Sequence, residues 1–430
     1  MTRSVALAAA LLVALVGGVE TQAQGQNNYG SIYSRFGLGE RTEFSSSQAA
    51  MLGHSASSLR SSVYTNLSNP ALWSDQVLTT FSAAGRVTTV RGEADGVADA
   101  SVGTAGDVAG VLVGVPLYST KLGMVVSYRP YSRVNYRSAT AGALTIDGAP
   151  VGYTLNLEGG GGLQQLSGGV GLRLGQAIQL GASADVILGT EEYLQRTEFD
   201  STAFSETRQS QATRVSGITG TLGAAASARR LLRSDDALTV GAAITLPTDL
   251  SVKRTVTLGT SLDRDTLGTS VDGDATLPLL LRGGLTYRSG PRWLLTVDAL
   301  YEPWGDFEST VPVGGFDTSS GLDALRDRLR VGGGVEVSAA GDRRAVQRTA
   351  FRLGGYAERG LYAPEDRDVN TYALTGGVSV PNRLTGARID LGFEVGTRGS
   401  TEGVLVRDTF VQGTLTLNFG ERWFVRRRFN

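Results

Sequence analysis

Hydrophobic and polar residues alternate along strand-length stretches over most of this chain. From Leu329 to Val337, and again from Ile389 to Val395, apolar side chains fall on one parity and Arg, Asp or Glu fall on the other. Successive side chains of a strand point to opposite faces, so each stretch has one apolar and one charged face. A soluble sandwich could not bury so many charges cheaply, whereas a water-filled lumen accepts them. The pattern predicts a membrane β-barrel.

Alternating stretches and the turn signals between them predict an all-β fold, a transmembrane antiparallel β-barrel of about 14 strands. The connections alternate between short ones, such as Ser119-Thr120, and longer ones, such as 139–160. Short periplasmic turns, longer outer loops and an even strand number are typical of outer-membrane barrels. The predicted strands lie near 76–91, 104–117, 121–138, 161–174, 178–196, 208–231, 236–257, 270–288, 292–310, 322–339, 348–360, 369–380, 387–398 and 404–419.

The two ends of the chain fall outside this pattern. Residues 1–23 have a positive Arg3, an apolar run and a small-residue site ending at Ala23, which predicts a signal peptide and therefore export to the cell outer membrane. Residues 420–430 follow the aromatic Phe419, where such barrels usually end. We expect a basic, aromatic tail here, because its arginines would be costly on a lipid face.

Residues 24–75 lack the alternation and are rich in Ser, Ala, Gly and Asn. A barrel of about 14 strands leaves a lumen that its own side chains do not fill. We therefore expect an N-terminal hatch inside a barrel formed by residues 76–419. The alternative is a mobile periplasmic tail.

Composition excludes several classes of function. The net charge of -1 gives no basic field that would attract nucleic acid, so no nucleic-acid partner is expected. The chain has no Cys and one His, His54, which leaves little to build a transition-metal site or an acid–base catalyst. We expect no enzyme activity, no cofactor and no metal.

One short motif resembles a known family. Asn69-Pro70-Ala71, at the end of the expected hatch and just before the first strand, resembles the signature of the FadL-type transporters of hydrophobic compounds. Leu277-Pro278 with Arg282–Arg288 is similar to later strands of that family, and Ser31–Gly39 resembles the mature N-terminus of its Bacteroidota branch. The resemblance implies a 14-stranded barrel, a hatch and a lateral exit through the wall at the third strand.

The third predicted strand contains a proline, in Arg129-Pro130-Tyr131. Proline cannot donate to a sheet ladder, so Pro130 predicts a local break in this strand. These three residues are our candidate for the lateral opening. The alternative is that the strand reaches beyond the membrane at this point.

The resemblance implies passive uptake of hydrophobic small molecules such as long-chain fatty acids. An acid head group could then pair with an inward arginine, for which Arg330, Arg352 and Arg388 are candidates, although all three could equally be structural. An alternative function is a PorV-like accessory or shuttle barrel of a secretion system, and a third is a structural surface barrel. The expected partners are membrane lipid, hydrophobic molecules and, in the second case, a secretion-system protein. We expect a monomer.

Overall fold

The structure is a computed structural model. It describes residues 29–96, 100–146, 148–260, 264–266, 270–314, 325–339, 349–381, 387–403 and 405–421. The predicted signal peptide and residues 422–430 of the predicted tail lie outside this range. Within it, no helix is long and apolar enough to span a membrane.

The described residues form a closed antiparallel barrel of fourteen wall strands, which confirms the predicted fold. The first and last strands close it, with Thr79 opposite Glu421. The wall strands are β1 Thr79–Ala94, β2 Ser101–Tyr118, β3 Leu122–Pro130 continuing as Tyr136–Ile146, β4 Ala149–Leu174, β5 Ile178–Phe199, β6 Thr207–Arg229, β7 Asp236–Thr245 with Thr248–Gly259, β8 Val271–Leu277 with Leu280–Ser289, β9 Trp293–Glu302, β10 Arg328–Ser338, β11 Ala350–Arg359, β12 Asn370–Pro381, β13 Arg388–Arg398 and β14 Val406–Glu421.

Side chains on the two faces of the wall differ as the alternation predicts. In β13, Leu391 is 51% exposed on the outer face, whereas its neighbour Asp390 is fully buried in the lumen. In β9, Trp293 and Tyr301 lie at the two ends of an exposed apolar face. The outer face therefore suits hydrocarbon, and its aromatic ends suit the two membrane interfaces.

Several strand boundaries differ from the prediction; the predicted strand 292–310, for example, ends at Glu302. Residues 139–160 were expected to form a loop but instead form a hairpin, in which Tyr136–Ile146 pairs with Ala149–Gly159 of β4. Most side chains of Tyr136–Ile146 are exposed on both faces, so this part of the ladder has no apolar face for alternation to reveal. At the other end, β14 continues to Glu421, two residues into the expected tail.

The N-terminal segment packs inside the barrel. It contains the short strand Glu40–Arg41, the α-helix Ser47–Ala50 and two 3₁₀ helices, Ile32–Arg35 and Pro70–Asp75. Leu52, Leu59 and Trp73 are at most 2% exposed. We call residues 29–78 the hatch. The end of the barrel with the short β2–β3, β4–β5 and β6–β7 connections is called the turn end, and the opposite end is called the loop end.

An apolar core closes the loop end. Tyr33 and Leu38 of the hatch pack there against inward residues of β4 to β8, such as Leu163 and Leu250. The connections above the wall contribute Trp304, Phe307, Val311, Val313, Leu325, Leu361, Tyr362, Val369 and Leu405.

Replacing Leu391 by Arg tests which face meets lipid. We expect Leu391→Arg to destabilise the folded barrel in lipid vesicles by about 2–4 kcal/mol more than Leu391→Ala does, because an arginine in the middle of the lipid face loses its hydration. Urea unfolding followed by tryptophan fluorescence measures the difference. Equal stability of the two variants would mean that this face is not in hydrocarbon.

Candidate functional site

The wall is interrupted between β2 and β3. The first part of β3 pairs with β2 from Leu122 to Tyr128, and it ends at Pro130. The second part of β3 begins at Tyr136 and pairs with β4 alone among the described residues. The β2 edge from Ser101 to Gly110 therefore has no ladder partner on this side in the described chain. Pro130 lies at the start of this break, where the missing N–H suits the end of a ladder.

The hatch pairs with the backbone that leaves the ladder. Glu40 and Arg41 form a two-residue antiparallel ladder with Ser132 and Arg133. The Thr42 N–H donates to the Tyr131 carbonyl at 3.1 Å. These bonds satisfy buried backbone groups that would otherwise lack partners. The break therefore turns a piece of the wall towards the hatch.

All three predicted residues of the break contact the hatch. Arg129 donates to the Phe44 carbonyl at 3.0 Å, and the Pro130 carbonyl accepts from the Thr42 hydroxyl at 2.6 Å. The Tyr131 carbonyl accepts from Arg41 at 3.0 Å, and the Arg41 guanidinium lies 3.5 Å from the centre of the Tyr131 ring.

Side chains and the first hatch residues span the gap itself. Arg133 donates to Asp107 of β2 at 2.9 Å. The Gly30 N–H donates to the Asn135 carbonyl at 3.0 Å, and Arg137 donates to the Tyr29 hydroxyl at 3.1 Å. The gap is therefore closed by hatch contacts and one ion pair in place of a β-ladder.

The motif Asn69-Pro70-Ala71 lies at the other end of the hatch. Asn69 caps the 3₁₀ helix by accepting from the Ala71 N–H at 3.0 Å, and it donates to the Ser57 carbonyl at 2.7 Å and to the Ala224 carbonyl of β6 at 3.1 Å. The motif is thus a joint between two parts of the hatch and the wall. It lies well apart from the break along the chain, and the two are joined through the body of the hatch.

Glycines of the wall let the hatch approach the sheet backbone. A Cβ at Gly171, Gly181 or Gly223 would overlap Asn69 or Pro70. At a second place, a Cβ at Gly354 would lie 2.6 Å from the Gly53 nitrogen and 2.7 Å from the Leu52 carbonyl carbon. No real Cβ tolerates such contacts, so only glycine fits.

Buried ion pairs connect the hatch to the far wall. Arg328 of β10 has no exposed surface and bonds three carboxylates, Glu43 of the hatch at 3.0 Å, Glu302 of β9 at 2.8 Å and Glu358 of β11 at 3.0 Å. Glu43 also bonds Arg282 at 3.1 Å. We call this group, together with the hatch pairs Glu40–Arg398 at 2.6 Å and Arg41–Glu302 at 2.9 Å, the central network.

Burial alone would favour the neutral form of Glu43, but the guanidinium groups of Arg282 and Arg328 outweigh it and hold the pKa of Glu43 well below its ordinary value. The sequence reasoning missed Glu40, Arg41 and Glu43. The available signal was their clustering in an otherwise nearly neutral hatch, where six charged side chains are found between residues 24 and 75.

The three predicted lumen arginines are all inward and all engaged. Arg330 pairs with Glu358, and Arg352 pairs with Glu336 at 2.7 Å. Arg388 donates to the hydroxyl of Tyr64 at 3.3 Å. The structure brings Arg352 and Arg388 together at the Tyr64 ring, with their guanidinium carbons 5.1 and 5.6 Å from its centre. Arg330 lies apart from them and joins the central network through Glu358.

Cavities beside the break are small. The one between Tyr131, Leu277 and Trp304 has a volume of about 30 Å³, and the one between the hatch and Asp408 has about 70 Å³. Pockets for small organic ligands are typically about 300–1,000 Å³. In this conformation, neither holds a hydrocarbon chain.

Several solved structures are similar to this chain in fold. A FadL homologue of Pseudomonas aeruginosa has a TM-score of 0.59 and 11% identity over 88% of this chain and 99% of that one. The toluene transporter TodX of Pseudomonas putida has a TM-score of 0.54 and 15% identity, over 90% of this chain and 100% of that one. The toluene transporter TbuX of Ralstonia pickettii has a TM-score of 0.54 and 12% identity, over 91% of this chain and 100% of that one. At such identities the likeness shows the fold, and it confirms the expected FadL-type barrel.

The family model described as BamG matches residues 2–430, and the chain therefore belongs to the BamG family. Curated proteins give no match.

Replacing Gly354 by Val tests the contact between the hatch and the wall. The added Cβ needs the space of Leu52 and Gly53, so we expect the hatch amides to exchange with solvent at least about tenfold faster, which corresponds to about 1.4 kcal/mol. Hydrogen exchange read by mass spectrometry gives the rates. Gly413→Val is the matched control, because a Cβ at Gly413 meets nothing within 4 Å. Equal hatch protection in the two variants would contradict the proposed fit.

Replacing Glu43 by Gln tests the central network. The change leaves Arg282 and Arg328 short of one negative charge in a buried place, and we expect it to destabilise hatch docking by up to about 3–5 kcal/mol. The pKa of Glu43 is lowered in the folded protein. The stabilisation of hatch docking by its negative charge is therefore present at neutral pH and is lost as the pH falls through that pKa. Hatch hydrogen exchange measures both effects. Glu93→Gln is the control, since Glu93 forms an exposed pair with Arg91, and a similar effect of the two changes would refute the role of Glu43.

Proposed function

We propose that this BamG-family barrel is a closed accessory protein of the outer membrane, which works by binding a partner and does not pass a solute through its lumen. The observation that carries the proposal is the central network, because it fixes the hatch against four wall strands, β8, β9, β10 and β13. Export by residues 1–23 and an origin in the Bacteroidota branch belong to the same proposal.

Opening the lumen would require several buried charges to lose their partners. Removing one partner of a buried pair typically costs about 3–5 kcal/mol, and Arg328 alone has three carboxylate partners. The apolar core at the loop end would also have to come apart. Both features favour a barrel that stays closed and presents its surfaces, as in the PorV-like or purely structural alternatives.

A second candidate function is passage of hydrophobic small molecules, such as long-chain fatty acids, sideways through the break. It is favoured by the unpaired edge of β2 and by the proximity of the hatch to Pro130. Two proteins of similar fold, TodX and TbuX, are toluene transporters. This function needs a second conformation, in which the residues from Tyr29 to Phe44 leave the gap.

Purification from native membranes under mild detergent tests the accessory role. We expect a stoichiometric complex with another envelope protein, and we expect the isolated barrel to add no conductance to a planar bilayer. A barrel that stays free of protein partners but contains a bound lipid would contradict the accessory role and favour transport.

A disulfide across the break separates the two candidates. A Cβ at Gly30 would lie 3.8 Å from the Asn135 Cβ, which is a favourable distance for a disulfide, and the chain has no other Cys. We expect oxidised and reduced Gly30→Cys/Asn135→Cys protein to yield the same amount of partner complex and to support no uptake of labelled fatty acid or toluene. Uptake that falls on oxidation and returns on reduction would overturn the accessory role. The single variant Gly30→Cys controls for the substitution itself.

A further inference from the structure

A separate cavity opens at the turn end, far from the break. It lies between the hatch segment Arg60–Tyr64 and the wall, and its volume is about 440 Å³. Thr120 and Pro291 in the connections of the turn end form part of its rim. This volume falls within the range of small-ligand pockets, unlike that of the two cavities beside the break. We call it the inner vestibule.

The inner vestibule has a large excess of positive charge. Its lining contains two carboxylates, Asp75 and Glu336, against six arginines, so the difference is four positive charges. If Asp390, which accepts a hydrogen bond from Tyr64 of the lining, is counted as well, the excess is still three positive charges. The six are Arg60, Arg173, Arg229, Arg288, Arg352 and Arg388.

The carboxylates of the lining are already engaged. Asp75 accepts from Arg60 through both oxygens, at 2.7 and 2.8 Å, and also pairs with Arg173. Glu336 accepts from Arg352 at 2.7 Å and from Gln48 at 2.6 Å.

Arg288 and Arg229 are the arginines that matter for a ligand. Among the described residues, neither has a carboxylate within 4.0 Å. Arg288 donates a long hydrogen bond of 3.5 Å to the Arg60 carbonyl. Arg288 is half-buried, so water compensates its charge only in part.

The excess is local and does not reflect the lumen in general. The cavity of about 70 Å³ beside the hatch has five arginines against four carboxylates in its lining, a difference of one. Like charges held close together in a partly dry space repel each other, and a bound anion removes that repulsion. Guanidinium forks also match the oxygens of phosphate and carboxylate.

We propose that the inner vestibule binds the oxyanion of a small ligand or lipid headgroup, a phosphate or carboxylate, which enters from the turn end. Arg229 and Arg288 make the first contacts. Arg352 and Arg388, which were candidate ligand contacts for an acid head group, line the same space behind them. The site is separate from the break, and its lining shares no residue with the two cavities there.

Calorimetric titration of the full-length mature protein in a neutral detergent tests this site. The probes are inorganic pyrophosphate for a free anion, dihexanoyl phosphatidic acid for a headgroup, and dihexanoyl phosphatidylcholine as the zwitterionic control. We expect at least one anionic probe to bind with one site per barrel and to weaken with added salt. Binding of pyrophosphate assigns a free anion, and binding of phosphatidic acid alone assigns a headgroup.

The double variant Arg229→Gln/Arg288→Gln should weaken that binding at least about tenfold, as expected when charge-assisted hydrogen bonds are lost. Arg91→Gln/Lys253→Gln is the matched control, because it removes two exposed positive charges near the loop end. Arg288→Lys keeps the charge and removes the fork, so it should retain part of the affinity if the variants fold equally by thermal melting. The proposal is overturned if neither anionic probe binds at millimolar concentration, or if the vestibule and control variants bind equally.

Discussion

Arg328 is the side chain on which the interior of this barrel depends. A guanidinium without any exposed surface is affordable only if carboxylates surround it, and here they come from β9, from β11 and from the hatch. The third carboxylate, Glu43, belongs to the hatch and not to a wall strand. The charge of the wall therefore holds the hatch in place, since Glu43 bonds both Arg328, at 3.0 Å, and Arg282, at 3.1 Å, in this register. A hatch shifted along the lumen would leave buried charges on both sides unpaired.

That register also imposes a demand on the wall sequence. Once Glu43 is fixed, the hatch backbone on either side of it runs against the sheet at van der Waals distance, and the wall must have no Cβ where the two backbones meet. Gly354 meets that need against Leu52 and Gly53, and Gly171 and Gly181 meet it against Pro70. The ion pairs thus determine where the hatch lies in the lumen, and the glycines of the wall leave the space that this position needs.

The sequence predicted those parts of the fold that depend on local alternation. The wall strands, the inward parity of Arg330, Arg352 and Arg388 and the end of a strand at Pro130 all follow from the period of two or from a missing N–H. The hairpin over residues 139–160 was missed because both faces of its first strand are largely exposed, which removes the alternation. The partners of Glu40, Arg41 and Glu43 were missed for another reason. They lie more than two hundred residues away along the chain, and pairing across a lumen leaves no local pattern.

The break in β3 shows why the wall and the hatch cannot be treated as separate parts. A sheet edge without a partner is normally costly inside a membrane, since its N–H and C=O groups find no water there. Here Tyr131, Ser132 and Arg133 turn inward and take their hydrogen bonds from Thr42 and from Glu40–Arg41. The side chains of Glu40 and Arg41 also belong to the central network. A movement that opened the wall would have to break this short ladder and, with it, the ion pairs of Glu40 and Arg41. The central network therefore limits how far the gap can open. A ligand or partner that opens the break must supply enough free energy to separate buried ion pairs on the opposite side of the lumen.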